Sequence, residues 1–196
     1  MSDAPANPAP GAGEFRGLVR IDETADRAMI TLRGDLSLPA LVQALQQEFG
    51  LSVPQRRRVE TNGERGLAWM SPDEVLLILP DQERAAAMES LRTALADAFV
   101  TVADVSDARA VFVLRGAAWR EVLAKLCPVD LHPDSFGPGQ IRRTRAAQAA
   151  VAFWTDGEAT AVTLVCFRSV AAYMAELLAN AARPGSDAGL YASAGG

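Results

Sequence analysis

The sequence predicts an α+β fold in which antiparallel-rich sheets carry packed helices. Its apolar residues switch repeatedly between spacing at period 2, typical of strands, and spacing near 3.6, typical of helices. The resulting order is ββα, ββα, ββα and βββα, with neighbouring strands separated by short turns. This order argues against the strict βαβ alternation of a doubly wound fold. A chain of 196 residues with 49% hydrophobic and 22% charged content can bury a substantial core.

In the first half, alternating apolar residues predict four strands: Leu18–Ile21, Met29–Leu32, Leu67–Met70 and Val75–Leu79. One-sided apolar spacing predicts a helix capped by Ser37 and ended by Gly50, and a second helix from Asp81 to about Ala98. Ser71-Pro72-Asp73-Glu74 matches a capping box with proline at the first helical position, so it predicts a single helical turn. Trp69, just before it, is predicted to anchor the core.

In the second half, the same patterns predict five strands: Phe99–Val105, Ala110–Leu114, Ile141–Gln148, Val151–Trp154 and Thr160–Phe167. Two further helices are predicted, one over Ala117–Leu126 and one that Ser169 caps. The two halves, about 14–99 and 100–182, each offer strands and two helices, and we interpret them as pseudo-repeated subdomains.

Residues 1–13 and 183–196 are predicted to be flexible tails around a 14–182 domain, because they offer little apolar area to offset ordering entropy. Leu190 and Tyr191 are alternatively a docking element for a partner, although a frayed tail is the favoured interpretation.

The bulk composition narrows the function classes. The net charge of −5 argues against a nucleic-acid surface, and no apolar run reaches the roughly 18 residues of a membrane span. Two cysteines and an N-terminus without a basic region and apolar core predict free thiols in a reducing compartment, and hence a cytoplasmic protein.

A search for catalytic motifs is mostly negative: the sequence has no P-loop, no dinucleotide fingerprint, no zinc-protease motif and no nucleophile elbow. His132 is the single histidine, and we interpret it as a turn residue rather than a general base. Cys127 follows a helix C-terminus, where the dipole disfavours a thiolate, so it is interpreted as an apolar filler. Pro128 stops the helix, and Asp130 is predicted to accept backbone N–H bonds in the turn. An enzyme that uses Cys127 and His132 is kept as an alternative.

The arginines are the strongest candidates for binding. Arg56, Arg57 and Arg58 are consecutive and can hold a phosphate or carboxylate, although a solvated strand end or a charged subunit contact is favoured. Arg143 and Arg145 fall on one face of a predicted strand and Arg142 on the other. Two arginines on one face suit a carboxylate or another subunit.

The stretch Asp104–Gly139 carries a family resemblance. Its pieces Asp104-Val105-Ser106-Asp107, Leu114-Arg115-Gly116 and Cys127-Pro128-Val129-Asp130-Leu131-His132 resemble the gamma-subunit family of heterotetrameric sarcosine oxidase. Further segments follow the order that they have in that family: Trp69–Leu77, Phe136–Gly139, the predicted strand that carries Arg142, Arg143 and Arg145, and Arg168-Ser169 with Tyr173. The resemblance covers about Gly17 to Ala182.

The resemblance implies a fold similar to the folate-binding fold of the glycine-cleavage T-protein. It also implies a cytoplasmic complex of alpha, beta, gamma and delta subunits that oxidatively demethylates sarcosine to glycine with hydrogen peroxide. The complex then passes the one-carbon unit to tetrahydrofolate or releases it as formaldehyde. In such a complex FAD, FMN, NAD and tetrahydrofolate are held by other subunits. The gamma chain then binds no cofactor, carries no catalytic residue and packs mainly against alpha.

Two relatives of that fold are alternatives. A folate-dependent aminomethyltransferase needs a larger chain and a folate-facing acidic residue that the sequence does not place. The folate-binding proteins of iron–sulfur maintenance carry Lys-Gly-Cys followed by Gly-Gln-Glu, whereas here Lys125-Leu126-Cys127 is followed by Pro128-Val129-Asp130. The first hypothesis for this chain is a non-catalytic structural subunit. The second is a stand-alone folate-binding protein.

Overall fold

In the computed structural model, which describes residues 14–155 and 159–191, the chain forms two antiparallel sheets and four α-helices. The strands are β1 (Phe15–Arg16), β2 (Arg20–Thr24), β3 (Arg27–Gly34), β4 (Val59–Asn62), β5 (Arg65–Ser71), β6 (Glu74–Pro80), β7 (Val100–Asp104), β8 (Arg109–Arg115), β9 (Ile141–Ala146), β10 (Ala149–Thr155) and β11 (Ala161–Phe167). The helices are α1 (Pro39–Phe49), α2 (Arg84–Ala94), α3 (Trp119–Ala124) and α4 (Ala171–Ala181). The predicted α+β class is confirmed.

The two sheets exchange strands between the predicted halves of the chain. The six-stranded sheet has the order β1-β2-β8-β11-β10-β9, and the five-stranded sheet has the order β4-β5-β6-β3-β7. Thus β1 and β2 leave the first half to pair with β8, while β7 leaves the second half to pair with β3. A boundary near residue 99 therefore does not separate the sheets, because pairing across it completes one edge of each.

The sheets and helices form four layers. α3 and α4 pack on the outer face of the six-stranded sheet through Trp119, Val122 and Met174. α1 and α2 cover the outer face of the five-stranded sheet through Leu41 and Leu91. A third apolar cluster joins the inner faces of both sheets and includes Met29, Ala68, Met70, Ile78, Val111, Ile141, Trp154 and Val165.

Burial on both faces explains why several strands read as continuous apolar runs. Ile30 points to the helix-side core of its sheet, whereas its neighbour Met29 points to the core between the sheets. Phe153 and Trp154 divide in the same way in the other sheet. Both sheets are thus largely covered, and function is left to the edges and loops.

Three predicted helix starts are wrong in detail. Ser37 does not cap α1; its hydroxyl donates to Asp35 Oδ1 at 2.6 Å, and no side chain caps the helix. Ser71-Pro72-Asp73-Glu74 turns the chain from β5 to β6 instead of forming a helical turn, and the Ser71 hydroxyl donates to Asp73 at 2.5 Å. Ser169 lies in a 3₁₀ turn before α4 and caps nothing. In the first two cases a local side-chain bond to a nearby aspartate replaces the cap.

The predicted stop at Gly50 is confirmed, since its φ of 65° lies in the left-handed region and its N–H bonds back to α1. None of the helices in residues 14–155 and 159–191 is long and apolar enough to cross a membrane.

Candidate functional site

The two sheets meet along one side, where the turn before β4 joins the start of β9. The Val59 N–H donates to Gly139 O at 2.9 Å, and the Ile141 N–H donates to Arg57 O at 3.0 Å. These bonds bring the Arg56–Arg58 turn against the arginine strand from the other half of the chain. The sequence predicted both arginine clusters and gave no signal that they adjoin.

A cavity of about 600 Å³ lies at this junction and is lined by four arginines: Arg56, Arg57, Arg142 and Arg143. Trp69 forms part of its wall and is only half-buried, so the prediction that it anchors the core is wrong. The cavity therefore combines cationic side chains with a partly exposed aromatic ring.

A second cavity of about 360 Å³ adjoins the first, and the two cavities share Met70 and Arg143 in their linings. It adds Arg109 and Arg145. We call the joined surface, defined by Arg56, Arg57, Arg109, Arg142, Arg143 and Arg145, the arginine groove. Arg58 is the exception among the predicted residues: it lines neither cavity, and its Nη1 donates outward to Pro138 O at 3.4 Å.

Arg142 and Arg143 are held by backbone carbonyls. Arg142 Nη2 donates to Ser135 O and, at 3.2 Å, to Gln140 Oε1, and its guanidinium lies 4.8 Å from the centre of the Phe136 ring. Burial lowers the pKa of Arg142, and the positive charge of Arg57 lowers it further. Arg143 Nη1 donates to Met70 O, which fixes this side chain across the gap between the sheets.

The predicted division of faces on β9 is confirmed. Arg143 and Arg145 line the second cavity together, whereas Arg142 turns to the helix side and stacks on Phe136. Ile141, on the same face as Arg143, is buried between the sheets. The alternation along β9 therefore places two cations on the inner face, where Arg143 reaches Met70 of the other sheet.

Arg109 was missed by sequence reasoning. It opens β8 and stacks on Phe167 of the neighbouring strand, with 4.1 Å between its guanidinium and the ring centre. Its buried Nε has no hydrogen-bond partner among the residues that the structure describes. Burial lowers its pKa, the carboxylate of Glu74 opposes that change, and the charge of Arg143 adds to it. Only the strand order β8-β11-β10-β9 brings Arg109 to the groove.

The groove arginines form no ion pair within the described part of the chain. Elsewhere arginines pair with acids: Arg84, for example, contacts Asp104 at 2.6 Å and Asp107 at 2.7 Å. Across residues 14–155 and 159–191, no carboxylate lies within ion-pair distance of any of the six groove arginines.

Asp130 is the carboxylate that lines the groove, and it is committed to its own turn. It accepts the His132 N–H at 2.8 Å, as predicted. Its pKa is lowered, first by a hydrogen bond from Ser135 and then by that backbone bond. Among the described residues, the groove thus gathers six guanidinium groups and one acid. This composition suits a ligand that carries carboxylate or phosphate groups, which arginine binds in a bidentate manner.

The residues of the Cys127–His132 turn make structural contacts. Cys127 is buried in the helix-side core, as predicted, and burial raises the pKa of its thiol to about 12. The imidazole of His132 faces outward, and its Nδ1 accepts the Asp134 N–H at 3.3 Å, which confirms its interpretation as a turn residue. Leu131 is fully buried in the same core. A protonated, buried thiol and an outward imidazole do not form a nucleophile and base.

Buried Arg120 stabilises this turn through two hydrogen bonds to backbone carbonyls. Its Nη1 donates to Leu131 O at 2.8 Å and to Phe136 O at 2.7 Å, and the guanidinium lies 4.3 Å from the Trp119 ring centre. The second cysteine, Cys166, is free and buried, and burial raises its thiol pKa to about 11. Within the residues that the structure describes, no group of three or more His, Cys, Asp or Glu side chains is placed to hold a metal ion.

The described part of the C-terminal segment, 183–191, has specific contacts, although the sequence predicted a flexible tail from residue 183. Lys125 Nζ donates to Ala181 O at 2.9 Å and to Ser186 Oγ at 3.0 Å. Glu121, buried in α3, accepts the N–H groups of Ala188 and, at 2.9 Å, Gly189. The predicted tails at 1–13 and 192–196 lie outside the described residues.

The two predicted docking residues in that segment differ in exposure. Leu190 is exposed, whereas Tyr191 packs against the helix-side core with its ring centre 6.4 Å from that of His132.

Comparison with known proteins gives a consistent result. A model of the sarcosine oxidase, gamma subunit family matches residues 33–183. The chain is 36% identical over 151 residues to the sarcosine oxidase subunit gamma of Corynebacterium sp. (strain P-1), covering 74% of this chain and 71% of that protein. It is 34% identical, with the same coverage, to the sarcosine oxidase subunit gamma of Arthrobacter sp..

Solved structures show the same relationship. The chain resembles one from the heterotetrameric sarcosine oxidase of Corynebacterium sp. U-96, in complex with pyrrole 2-carboxylate, with a TM-score of 0.76, 28% identity and 86% of each chain covered. The glycine cleavage system aminomethyltransferase T of Bartonella henselae shares the fold, with a TM-score of 0.59 at 16% identity over 84% of this chain and 46% of that one. The chain belongs to the sarcosine oxidase gamma subunit family.

Proposed function

We propose that this chain is a non-catalytic structural subunit of a heterotetrameric sarcosine oxidase and that the arginine groove docks it to its partners. The observation that carries the proposal is the groove itself: six guanidinium groups without an internal carboxylate partner in the described residues, on a chain of net charge −5. Like charges gathered at a surface repel one another, and an acidic partner that covers them removes this cost.

In this proposal the partners are the alpha, beta and delta subunits, mainly alpha. The complex demethylates sarcosine to glycine with production of hydrogen peroxide and transfers the one-carbon unit to tetrahydrofolate. FAD, FMN, NAD and tetrahydrofolate reside on the other subunits, and this chain binds none. The location is cytoplasmic, in keeping with two free thiols.

Co-expression of the four subunits with and without this chain tests the proposal. Size-exclusion chromatography measures assembly, and oxygen uptake with sarcosine measures turnover. Without the chain we expect the yield of assembled enzyme and the total turnover to fall together. Full assembly and normal turnover in its absence contradict a structural role.

Two variants separate an effect on assembly from an effect on catalysis. His132→Ala removes the exposed imidazole of the family-like turn, and we expect turnover per assembled complex to stay within about twofold of the unmodified enzyme. Arg92→Glu changes an exposed arginine on α2, away from the groove, and serves as the matched control. A large loss of turnover in fully assembled His132→Ala enzyme contradicts the non-catalytic role.

A stand-alone folate-binding protein is the second candidate. It is favoured by the fold shared with aminomethyltransferase T and by a cationic cavity of about 600 Å³ that suits a ligand bearing carboxylates. Calorimetric titration of the isolated full chain with a reduced folate distinguishes the two. Saturable heat that Arg57→Ala abolishes supports the folate binder, and the absence of heat supports the structural subunit.

A further inference from the structure

The outer edge of β9 is an open strand edge beside the arginine groove. β9 pairs with β10 on one side, in the register that sets Ala146 opposite Ala149. On its other side, its one backbone bond to the described part of the chain lies at its start, where the Ile141 N–H donates to Arg57 O.

The direction of that bond fixes which backbone groups face outward. Because antiparallel residues alternate between bonding a neighbour and pointing away from it, Arg143 and Arg145 share the outward direction of Ile141. Within the residues that the structure describes, the outward N–H and C=O groups of Arg143 and Arg145 have no backbone partner. An unpaired row of this kind is a template for a further strand.

The side chains around this edge define the chemistry of such a strand. Arg143 and Arg145 project from the edge on one face, about 7 Å apart along it, and Arg56, Arg57 and Arg109 complete the groove. Residues i and i+2 of an added strand lie at the same spacing. Acidic side chains at alternate positions therefore meet the guanidinium groups, while main-chain bonds supply register.

We propose that the free edge of β9 accepts an extended, acidic segment of a partner subunit as an added strand. The segment bonds the outward backbone groups of Arg143 and Arg145 and places carboxylates at alternate positions in the arginine groove. This inference rests on the proposed function, which supplies the partner, and goes beyond it by naming the element and the mode of contact.

Hydrogen–deuterium exchange of the full chain, alone and in the assembled complex, tests the main-chain contact directly. The amides of Arg142, Thr144 and Ala146 point to β10 and are protected in both states. We expect the peptide that spans 141–146 to lose exchange at two further amides in the complex, by about tenfold or more in rate. An assembled complex in which those two amides exchange as fast as in the free chain overturns the added strand and leaves the proposed function intact. Failure of the unmodified chain to assemble overturns both.

A proline variant gives a second, independent test. Arg145→Pro removes an N–H that lies outside the β9–β10 ladder, so an edge strand tolerates it, whereas Arg145→Ala removes only the side chain. We expect Arg145→Ala to weaken docking about tenfold and Arg145→Pro at least about tenfold more, with Arg92→Glu unchanged. Circular dichroism melting of each full-length variant checks folding. Equal docking by the folded alanine and proline variants contradicts the added strand and leaves a contact made by side chains alone.

Discussion

Replacing Arg120 by methionine tests whether a buried cation holds the Cys127–His132 turn in place. Arg120 is 9% exposed, donates to the carbonyls of Leu131 and Phe136, and stacks on Trp119. Burial lowers its pKa, and among the described residues no carboxylate lies within ion-pair distance. Methionine keeps much of the packing and removes both hydrogen bonds.

The magnitude follows from those contacts. Hydrogen bonds from a charged donor contribute about 1.5–3 kcal/mol each, so the two bonds together amount to about 3–6 kcal/mol. The cost of burying an unpaired guanidinium acts in the opposite direction by a few kcal/mol. We expect the free energy of unfolding to fall by about 2 kcal/mol in Arg120→Met.

Urea denaturation of the isolated full chain, followed by tryptophan fluorescence, measures this change. Arg92→Met, on an exposed face of α2, is the matched control and should change stability by less than about 0.5 kcal/mol. If Arg120→Met is as stable as this control, the two carbonyl bonds do not stabilise the turn and the reasoning is refuted.

Three further predictions concern stability and reactivity. Cys127→Ser should fold with a free energy of unfolding lower by about 1–2 kcal/mol, because a hydroxyl replaces a buried thiol. The native thiol, whose pKa burial raises to about 12, should react with iodoacetamide at pH 8 only as the chain unfolds. Fast labelling of Cys127 in the folded protein contradicts its burial. The folded pKa of Asp130 lies below its ordinary 3.8, so its contribution to the free energy of unfolding is present above about pH 4 and is lost as pH falls through the folded value. Urea titrations at several pH values should show this loss of stability, and Asp130→Asn should make the loss smaller. Glu121→Ala should release the 183–191 segment, because Ala188 and Gly189 lose their acceptor, and faster proteolysis at that segment than in the native chain is the measurement. An unchanged cleavage rate contradicts the role of Glu121.

The strands were predictable from local pattern because burial on both faces of a sheet produces short apolar runs bounded by turn residues. The helices were predictable because each packs only one face against a sheet, which produces apolar spacing near 3.6. The helix starts were less predictable. Ser37 and Ser71 have the right residue type and spacing for caps, yet each bonds an aspartate two residues away. A sequence pattern cannot rank a cap against a local turn when both use the same hydroxyl.

The candidate site was predictable as two separate clusters and not as one groove. The alternation of Arg142, Arg143 and Arg145 follows from strand geometry alone. The approach of Arg57 to β9 depends on a bond across 84 residues of chain, from Ile141 N to Arg57 O. Arg109 enters only through the order of four strands. Such long-range pairings carry no local signal in one sequence.

Docking through the arginine groove is tested most directly by charge reversal within the co-expressed complex. Arg56→Glu with Arg57→Glu replaces two exposed cations that make no side-chain hydrogen bond or ion pair in the described structure, so the fold should be retained. We expect the doubly reversed chain to be lost from the complex at about 0.15 M salt, while the Arg92→Glu chain co-purifies at the native level. Co-purification of the folded double variant in native amount contradicts the central claim that this groove joins the chain to its partners.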